Sequence, residues 1–282
     1  MSIKRILLYI AGAALLALML QQLWYLGQVL RLQHHNPDQS AYMERAQAQG
    51  KVHQYWRDYD QISDHLKRAV LISEDAHFTQ HWGFDWEGIR YALNRNLEAG
   101  KPVAGGSTIT QQLAKNLFLS GKRSYVRKAQ EAAIALMLEL SLSKQRILEL
   151  YLNMAQWGHQ IYGAEAASRH YFKVSAAQLS PAQAAQLAAM LPRPNYYDFR
   201  GPTDYVEQRA SWIERQLALV EIPNPTGPPP PPYQPPVTAE QAENSSDAEQ
   251  SATETSPPPA DGQAALGEHD HGGPEQTQGL TE

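Results

Sequence analysis

The chain has 282 residues, a length that fits one domain of ordinary size with appendages. It contains no cysteine, which excludes disulfide bonds and thiolate metal sites. The formal net charge is −5, but residues 1–222 hold 24 bases against 19 acids, because ten acids and no base lie beyond residue 223. This basic balance suits an anionic membrane surface or a phosphorylated substrate.

An uncharged apolar segment runs from Ile6 to Leu30. A helix needs roughly 20 apolar residues to cross a bilayer core, and glutamines weaken the second half, so the predicted transmembrane anchor covers residues 6–28. Trp24 and Tyr25 would lie in the aromatic belt at the membrane surface. The alternative is a cleaved signal peptide. Its apolar core would be shorter, and no Ala-x-Ala-like cleavage site follows this one, so the pattern favours an uncleaved anchor.

Two basic residues, Lys4 and Arg5, precede the span. By the positive-inside rule, residues 1–5 are expected in the cytoplasm and the chain after the span outside it. Residues 29–51 are predicted to be a juxtamembrane linker.

Residues 52–222 form the predicted working domain, and their pattern is helical. Apolar residues recur at spacings of three and four along residues 127–155, without glycine or proline. Ser180 is a predicted N-cap before a proline at the first helical position, and Thr203 or Asp204 caps a later helix. Strand alternation is scarce, so the fold class is mostly α, with at most a small hairpin.

An acid pair, Glu74 and Asp75, ends the apolar run "LKRAVLISE" and is followed by His81 and Gly83. Such a pair is either a solvated helix end or a carboxylate held in a pocket. These residues alone leave both interpretations open.

A Gly-Gly turn in "AGGSTITQQLAKN" delivers Ser107 and Thr108 to a helix start. Free N–H groups and the helix dipole favour an anion at such an end. The alternative is an ordinary cap before a surface helix. The polar residues of the first turns are Gln111, Gln112, Lys115 and Asn116.

Charged pairs follow at helical spacing. Arg127 and Glu131 lie four residues apart and share a helical face. An exposed pair of this kind has little energetic value. Lys144, Arg146 and Glu149 form a similar face.

The segment "SLSK", Ser141 to Lys144, matches the S-x-x-K pattern of penicillin-reactive serine enzymes. The partner patterns S-D-N and K-T-G are absent from the sequence. We interpret the match as chance, inside a helix.

The last part of the chain, residues 223–282, is proline-rich and then polar and acidic. Such a composition cannot bury enough apolar surface to offset chain entropy, so a disordered tail is predicted. His269 and His271 in this tail are interpreted as solvated residues and not as metal ligands.

Five segments, in order, resemble the five motifs of the peptidoglycan glycosyltransferases, the polymerase domain of class A penicillin-binding proteins. They are "EDAHFTQHWG", "GGSTITQQLAKN", "RKAQE", "KQRILELYLN" and "YGAEAASRHYF". The resemblance covers roughly residues 59–219. One anchor and no transpeptidase domain suggest a monofunctional member. The departures are Gln156 and Gln183, where members often have Glu, and Arg193 in place of Asn.

The resemblance implies a lysozyme-like α-helical lobe with a smaller membrane-associated jaw. It implies transfer of a lipid-pyrophosphate-linked glycan to the 4-hydroxyl of lipid II, with inversion and release of undecaprenyl pyrophosphate. Because pyrophosphate is already a good leaving group, the reaction needs a base on the acceptor side and positive charge on the donor side.

The resemblance also implies roles for individual residues. Glu74 would be the base. Glu131 would be the second acid, which orients the acceptor side or helps to hold a divalent cation, Mg²⁺ or Mn²⁺, near the phosphates. The residues implied to face the pyrophosphate or line the donor cleft are Ser107, Thr108, Gln111, Lys115, Asn116, Arg127 and Lys128. The residues implied to support Glu74 are Asp75, His81 and Gly83.

The implied partners are lipid II, the growing glycan strand, the inner membrane and other cell-wall synthesis or division proteins; nucleic acid is not expected. The implied location is the inner membrane, single-pass, with the N-terminus cytoplasmic and the catalytic domain periplasmic. A lysozyme-like glycan-cleaving enzyme is the alternative, but cleavage does not need a Lys and Arg cluster beside the second carboxylate. A scaffold role through the proline-rich tail is an additional function left open.

Overall fold

The computed structural model describes residues 2–101, 104–119, 121 and 124–223. The predicted disorder of the tail and the two tail histidines therefore fall outside the described residues. Within them the chain forms eleven α-helices and three short strands, which confirms the prediction of a mostly α fold.

The helices are α1 Ile3–Arg31, α2 Ala41–Gln47, α3 Asp64–Glu74, α4 Trp86–Ala99, α5 Ile109–Phe118, α6 Tyr125–Ser141, α7 Lys144–Met154, α8 Ala164–Phe172, α9 Pro181–Met190, α10 Pro194–Arg200 and α11 Asp204–Gln216. The strands are β1 His53–Gln54, β2 Gln156–Gly158 and β3 Ile161–Tyr162. Their order in the sheet is β1-β3-β2, with β3 parallel to β1 and antiparallel to β2. The β2–β3 pair is the small hairpin that the sequence allowed.

Helix α1 is the candidate membrane span. Its 29 residues correspond to a length of about 43 Å. Its most apolar window has a mean hydropathy of 2.0, and no residue of that window is buried. The end of α1 nearest the domain is different, because Tyr25 and Val29 are buried there.

The segment predicted as a linker packs on the domain. Met43 in α2 is buried in the core, and the Arg45 guanidinium donates to the carbonyl of Leu119. Arg146 in α7 donates to the carbonyl of Leu32 just after α1. The compact part of the chain thus begins before residue 52.

The core is organised around α7 and α9. Helix α9 presents mostly alanine and lies between α3 and α11, and such small side chains allow helices to approach closely. The predicted caps of Ser180 and Thr203 are confirmed, since their side chains accept hydrogen bonds from the N–H groups of Gln183 and Val206.

The structure corrects one prediction about "SLSK". This segment lies across a break between α6 and α7 and not inside a helix. Leu142 is extended and buried at the break, and the Ser143 hydroxyl caps α7 by accepting from the N–H of Arg146. A serine that can bond the backbone in this way favours a helix start over a helix interior.

Candidate active site

Glu74 is the last residue of α3, and the apolar run before it holds the helix against the core. Leu66, Val70 and Leu71 are buried. The Ser73 hydroxyl donates to the carbonyl of Ala188, which ties the last turn of α3 to α9. The helix therefore delivers the Glu74 carboxyl group to a fixed, partly buried position.

A neutral amide contacts the Glu74 carboxyl group. Gln112 Nε2 on α5 donates to Glu74 Oε2 at 2.8 Å. The Tyr151 hydroxyl in turn donates to Gln112 Oε1 at 3.1 Å, so the amide presents its NH₂ group to Glu74. Sequence reasoning named Gln112 only as a polar residue of the first turns of α5, without a role, and did not name Tyr151.

Burial raises the pKa of Glu74 above its usual range. The hydrogen bond from Gln112 and the charges of Arg209 and Lys115 act to lower this pKa, while Asp75 acts to raise it. A carboxylate whose pKa is raised in this way takes up a proton more readily than an exposed glutamate does.

Asp75 fastens the loop after α3 to the start of α5. Its Oδ2 accepts from the N–H of Ile109 at 2.9 Å, and its Oδ1 lies 2.8 Å from His81 Nε2. Both side chains are largely buried, and a carboxylate at a helix N-terminus is electrostatically favourable. Asp75 and His81 thus hold the loop that follows Glu74.

Gly83 occupies a position that a larger residue would strain. Its φ is +80°, and an added Cβ would lie 3.2 Å from Glu139 Cγ. Its carbonyl accepts from Thr108 Oγ1 at 2.7 Å. The turn is therefore tied to the N-cap of α5.

Thr108 and Gln111 form a capping box at the start of α5. Thr108 Oγ1 accepts from the N–H of Gln111 at 3.2 Å, and Gln111 Oε1 accepts from the N–H of Thr108 at 3.3 Å. Both residues are buried. The structure thus shows that Thr108 and Gln111 stabilise the first turn of α5. Their role in lining the donor cleft stays a prediction.

A buried ion pair lies beneath this turn. Lys144 Nζ donates to Glu139 Oε1 at 2.8 Å, and Thr110 Oγ1 donates to the same oxygen at 2.6 Å. The Lys144 ammonium also lies 4.4 Å from the centroid of the Phe78 ring. Burial lowers the pKa of Lys144, and the Glu139 carboxylate opposes that effect. Sequence reasoning placed Lys144 only on a charged helix face and missed Glu139.

The second predicted acid, Glu131, is buried near the start of α6. Arg127 Nη1 donates to Glu131 Oε2 at 2.8 Å, and Lys128 Nζ donates to Glu131 Oε1. Lys128 also donates to the Ser107 hydroxyl at 3.2 Å. The ion pair between Arg127 and Glu131 is therefore largely buried. Ser107 belongs to the same cluster through Lys128.

Lys115 on α5 interacts electrostatically with both carboxylates. Burial lowers its pKa, the charges of Arg127 and Lys128 lower it further, and those of Glu131 and Glu74 raise it. Asn116, the next residue, is partly buried. Helix α5 thus contacts Glu74 through Gln112 and brings a cation toward the Glu131 cluster.

A divalent cation at Glu131 and charge neutralisation by the basic side chains alone are the two alternatives for this cluster. Both carboxylate oxygens of Glu131 accept hydrogen bonds from basic side chains. Across the described ranges, the structure contains no cluster of three or more His, Asp or Glu side chains arranged to hold a metal ion.

A family model described as Transglycosylase matches residues 40–218. The chain belongs to the transglycosylase family. The match begins just before α2, so the family includes the segment that packs onto the domain ahead of residue 52.

Curated members of this family resemble the chain over most of their length. The biosynthetic peptidoglycan transglycosylase of Alcanivorax borkumensis is 79% identical over 225 residues, covering 80% of this chain and 92% of that protein. The protein of the same name from Chromobacterium violaceum is 48% identical over 227 residues, covering 78% and 100%. That from Laribacter hongkongensis is 49% identical over 219 residues, covering 75% and 96%.

The three departures from the usual family pattern lie away from Glu74 and Glu131 in the chain. Gln183 completes the capping box of α9. Gln156 Nε2 donates to Asn195 Oδ1 at 2.9 Å, and the Arg193 guanidinium lies 5.7 Å from the centroid of the Tyr196 ring. Each departure thus makes a local structural contact in this transglycosylase family member.

Proposed function

We propose that this protein polymerises peptidoglycan glycan strands from lipid II. The growing lipid-pyrophosphate-linked glycan is transferred to the 4-hydroxyl of lipid II, with inversion, and undecaprenyl pyrophosphate is released. The observation that carries the proposal is the pairing of two unlike carboxylates. Glu74 accepts a hydrogen bond from a neutral amide, whereas Glu131 accepts hydrogen bonds from two cations, and Lys115 interacts electrostatically with both carboxylates.

Glu74 acts as the base. Burial raises its pKa toward the working range, so the ionised form takes a proton more readily than an exposed glutamate would. The hydrogen bond from Gln112 keeps one carboxylate oxygen in a fixed direction while the acceptor hydroxyl approaches the other. The proton of the 4-hydroxyl passes to Glu74 as the oxygen bonds the anomeric carbon of the donor.

Arg127, Lys128 and Lys115 neutralise the pyrophosphate as its bond to the sugar breaks. Glu131 holds the first two in place. Arg127 Nε is buried and has no hydrogen-bond partner among the described residues. A guanidinium presents its donors in a planar fork that suits phosphate oxygens, so Arg127 can bond Glu131 and the pyrophosphate at the same time.

The same cluster argues against glycan cleavage. A buried glutamic acid would also suit a general acid that protonates a sugar leaving group. Cleavage, however, gives no role to Arg127, Lys128 and Lys115 around the second carboxylate. A pyrophosphate leaving group gives all three a role, and it agrees with the names of the relatives.

The apolar helix α1 supports a membrane location for the reaction, because lipid II is held in a bilayer. The inner membrane, the cytoplasmic N-terminus and the periplasmic domain are part of the proposal, supported by Lys4 and Arg5 before the span. A reporter fused after residue 220 should be active only if it functions outside the cytoplasm. Activity of a cytoplasmic reporter at that position would reverse the orientation. Partners among cell-wall synthesis or division proteins, recruited by the tail, stay a prediction.

The proposed function is tested with full-length protein and labelled lipid II in vesicles. We expect polymeric glycan that a muramidase digests, and no release of fragments when preformed glycan is supplied alone. Fragment release without polymer would favour the cleaving enzyme instead.

A further inference from the structure

Two side-chain contacts join α1 to α6 in a single register. Gln22 Nε2 donates to Gln130 Oε1 at 2.8 Å, and Gln130 Nε2 donates back to Gln22 Oε1 at 3.0 Å. Further along, Gln33 Nε2 just after α1 donates to the carbonyl of Ser141 at 2.9 Å. Each contact joins residues 108 apart in sequence, so the two segments run in the same direction with one constant offset.

The anchor is firmly packed between these contacts. Tyr25 and Val29 fall on the same face of α1 as Gln22, and they are buried. The Tyr25 ring also meets the Phe118 ring edge to face, at 6.0 Å between centroids. After the helix, Arg146 donates to the carbonyls of Leu32 and His35 at 2.9 and 3.1 Å. The C-terminal end of α1 is therefore packed against the domain and is not joined to it by a flexible linker.

The two hydrogen bonds between the Gln22 and Gln130 amides can form in only one register of α1 against α6. Sliding α1 by one helical turn, about 5.4 Å, would leave both amides facing apolar side chains or lipid. Apolar contacts alone tolerate such a slide better, because they are not directional. Gln22 is otherwise an unfavourable residue within an uncharged apolar span. Its contact with Gln130 explains why a glutamine is tolerated at this position of the span.

The position of Gln130 connects this register to the site. It directly precedes Glu131 on α6, and Arg127 and Lys128 lie within the preceding turn. A slide of α1 against α6 would move these cations by a turn relative to the anchor, and the anchor is what sits in the bilayer.

We propose that Gln22 and Gln130 form a register lock, a positioning pair that holds the Arg127–Lys128–Glu131 cluster at one depth relative to the membrane-spanning helix. The ligand placed at that depth is a lipid-linked pyrophosphate, whose own depth is fixed by its lipid chain. The inference rests on the proposed function. It adds that the anchor helps to set the affinity for the lipid-linked donor, and not only the location of the enzyme.

Full-length variants in vesicles test the lock. Gln22→Leu and Gln130→Leu should each raise KM for the lipid-linked donor roughly three- to tenfold, with a smaller change in kcat, as expected for loss of an interhelical hydrogen-bond pair. The double variant should be no worse than either single variant, because all three lose the same contact. The matched control is Gln21→Leu, whose side chain is exposed on the same helix and whose kinetics should equal those of the parent.

The outcomes separate the lock from the proposed function. If the parent polymerises and the single variants match Gln21→Leu, the lock is wrong. Effects that multiply in the double variant would also overturn it, since independent sites behave in that way. A parent that does not polymerise would instead contradict the proposed function.

Discussion

Gln112 Nε2 lies 2.8 Å from Glu74 Oε2, and this bond joins the end of α3 to α5. Since the Tyr151 hydroxyl occupies the amide oxygen of Gln112, the amide has its NH₂ group free for Glu74. The bond favours the ionised form of a carboxyl group whose burial raises its pKa. Gln112 therefore lowers the pKa of Glu74, the proposed base.

Gln112→Leu should move the acid limb of the pH profile to higher pH. The pKa of Glu74 is already raised by burial, and losing the bond from Gln112 raises it further. Because a base must be ionised, kcat/KM should then begin to fall at a higher pH than in the parent. Tyr151→Phe should shift the limb in the same direction but less, since Gln112 remains. An unchanged acid limb in Gln112→Leu would exclude this role.

Arg127→Lys should weaken the donor site although the charge is kept. Lysine cannot offer the planar fork that would bond Glu131 and the pyrophosphate at the same time. Loss of one charge-assisted hydrogen bond predicts a rise of roughly ten- to hundredfold in KM for the lipid-linked donor. Arg90→Lys on the exposed face of α4 is the control and should leave kinetics unchanged. Equal KM values in the two variants would contradict the role of Arg127.

Gly83→Ala should destabilise the turn next to the site. The residue has φ +80°, and the new methyl group would press on the side chain of Glu139 at 3.2 Å. The strain predicts a loss of about 1–3 kcal/mol in the free energy of unfolding, with lower activity because Thr108 and the start of α5 are tied to this turn. Gly27→Ala is the control, since nothing lies within 4 Å of an added Cβ there. Similar melting temperatures for both variants would contradict the strain.

Chelation tests whether a divalent cation takes part. Lys115, Arg127 and Lys128 already supply positive charge, and Glu131 is bonded to two of them, so we expect polymerisation to continue at near the parent rate in excess EDTA. A rate that falls to background and returns with Mg²⁺ or Mn²⁺ would contradict this expectation. Glu131 and the pyrophosphate oxygens would then be the ligands to examine.

The sequence predicted those parts of the fold that depend on local patterns. The cap at Ser180 followed by proline and the helix start at Thr108 are both visible in short stretches, and the structure agrees. The break at Leu142 was missed because the apolar spacing continues across it. A buried leucine gives the same pattern whether the chain is helical or extended there.

The site was less predictable than the fold, because its contacts join distant segments. Gln111 and Gln112 are adjacent, and the resemblance named the first. The T-x-x-Q pattern from Thr108 to Gln111 is a capping-box signal, which assigns the Gln111 side chain to the cap of α5. The adjacent Gln112 is then the glutamine whose side chain remains for the site. Glu139 and Lys144 are close in sequence, but their pairing depends on the break at Leu142, which the apolar spacing hides. No local pattern could reveal that Tyr151 reaches Gln112 across 39 residues.

The most direct test of the account compares Glu74→Gln with Glu131→Gln in one assay of labelled lipid II incorporation. Glu74→Gln keeps the size of the side chain but cannot accept a proton, so kcat should fall by about 10²–10⁴ while donor binding is kept. Glu131→Gln should instead lose donor affinity, because Arg127 and Lys128 lose the carboxylate that positions them. If Glu74→Gln polymerises at near the parent rate, Glu74 is not the base and the proposed mechanism is wrong.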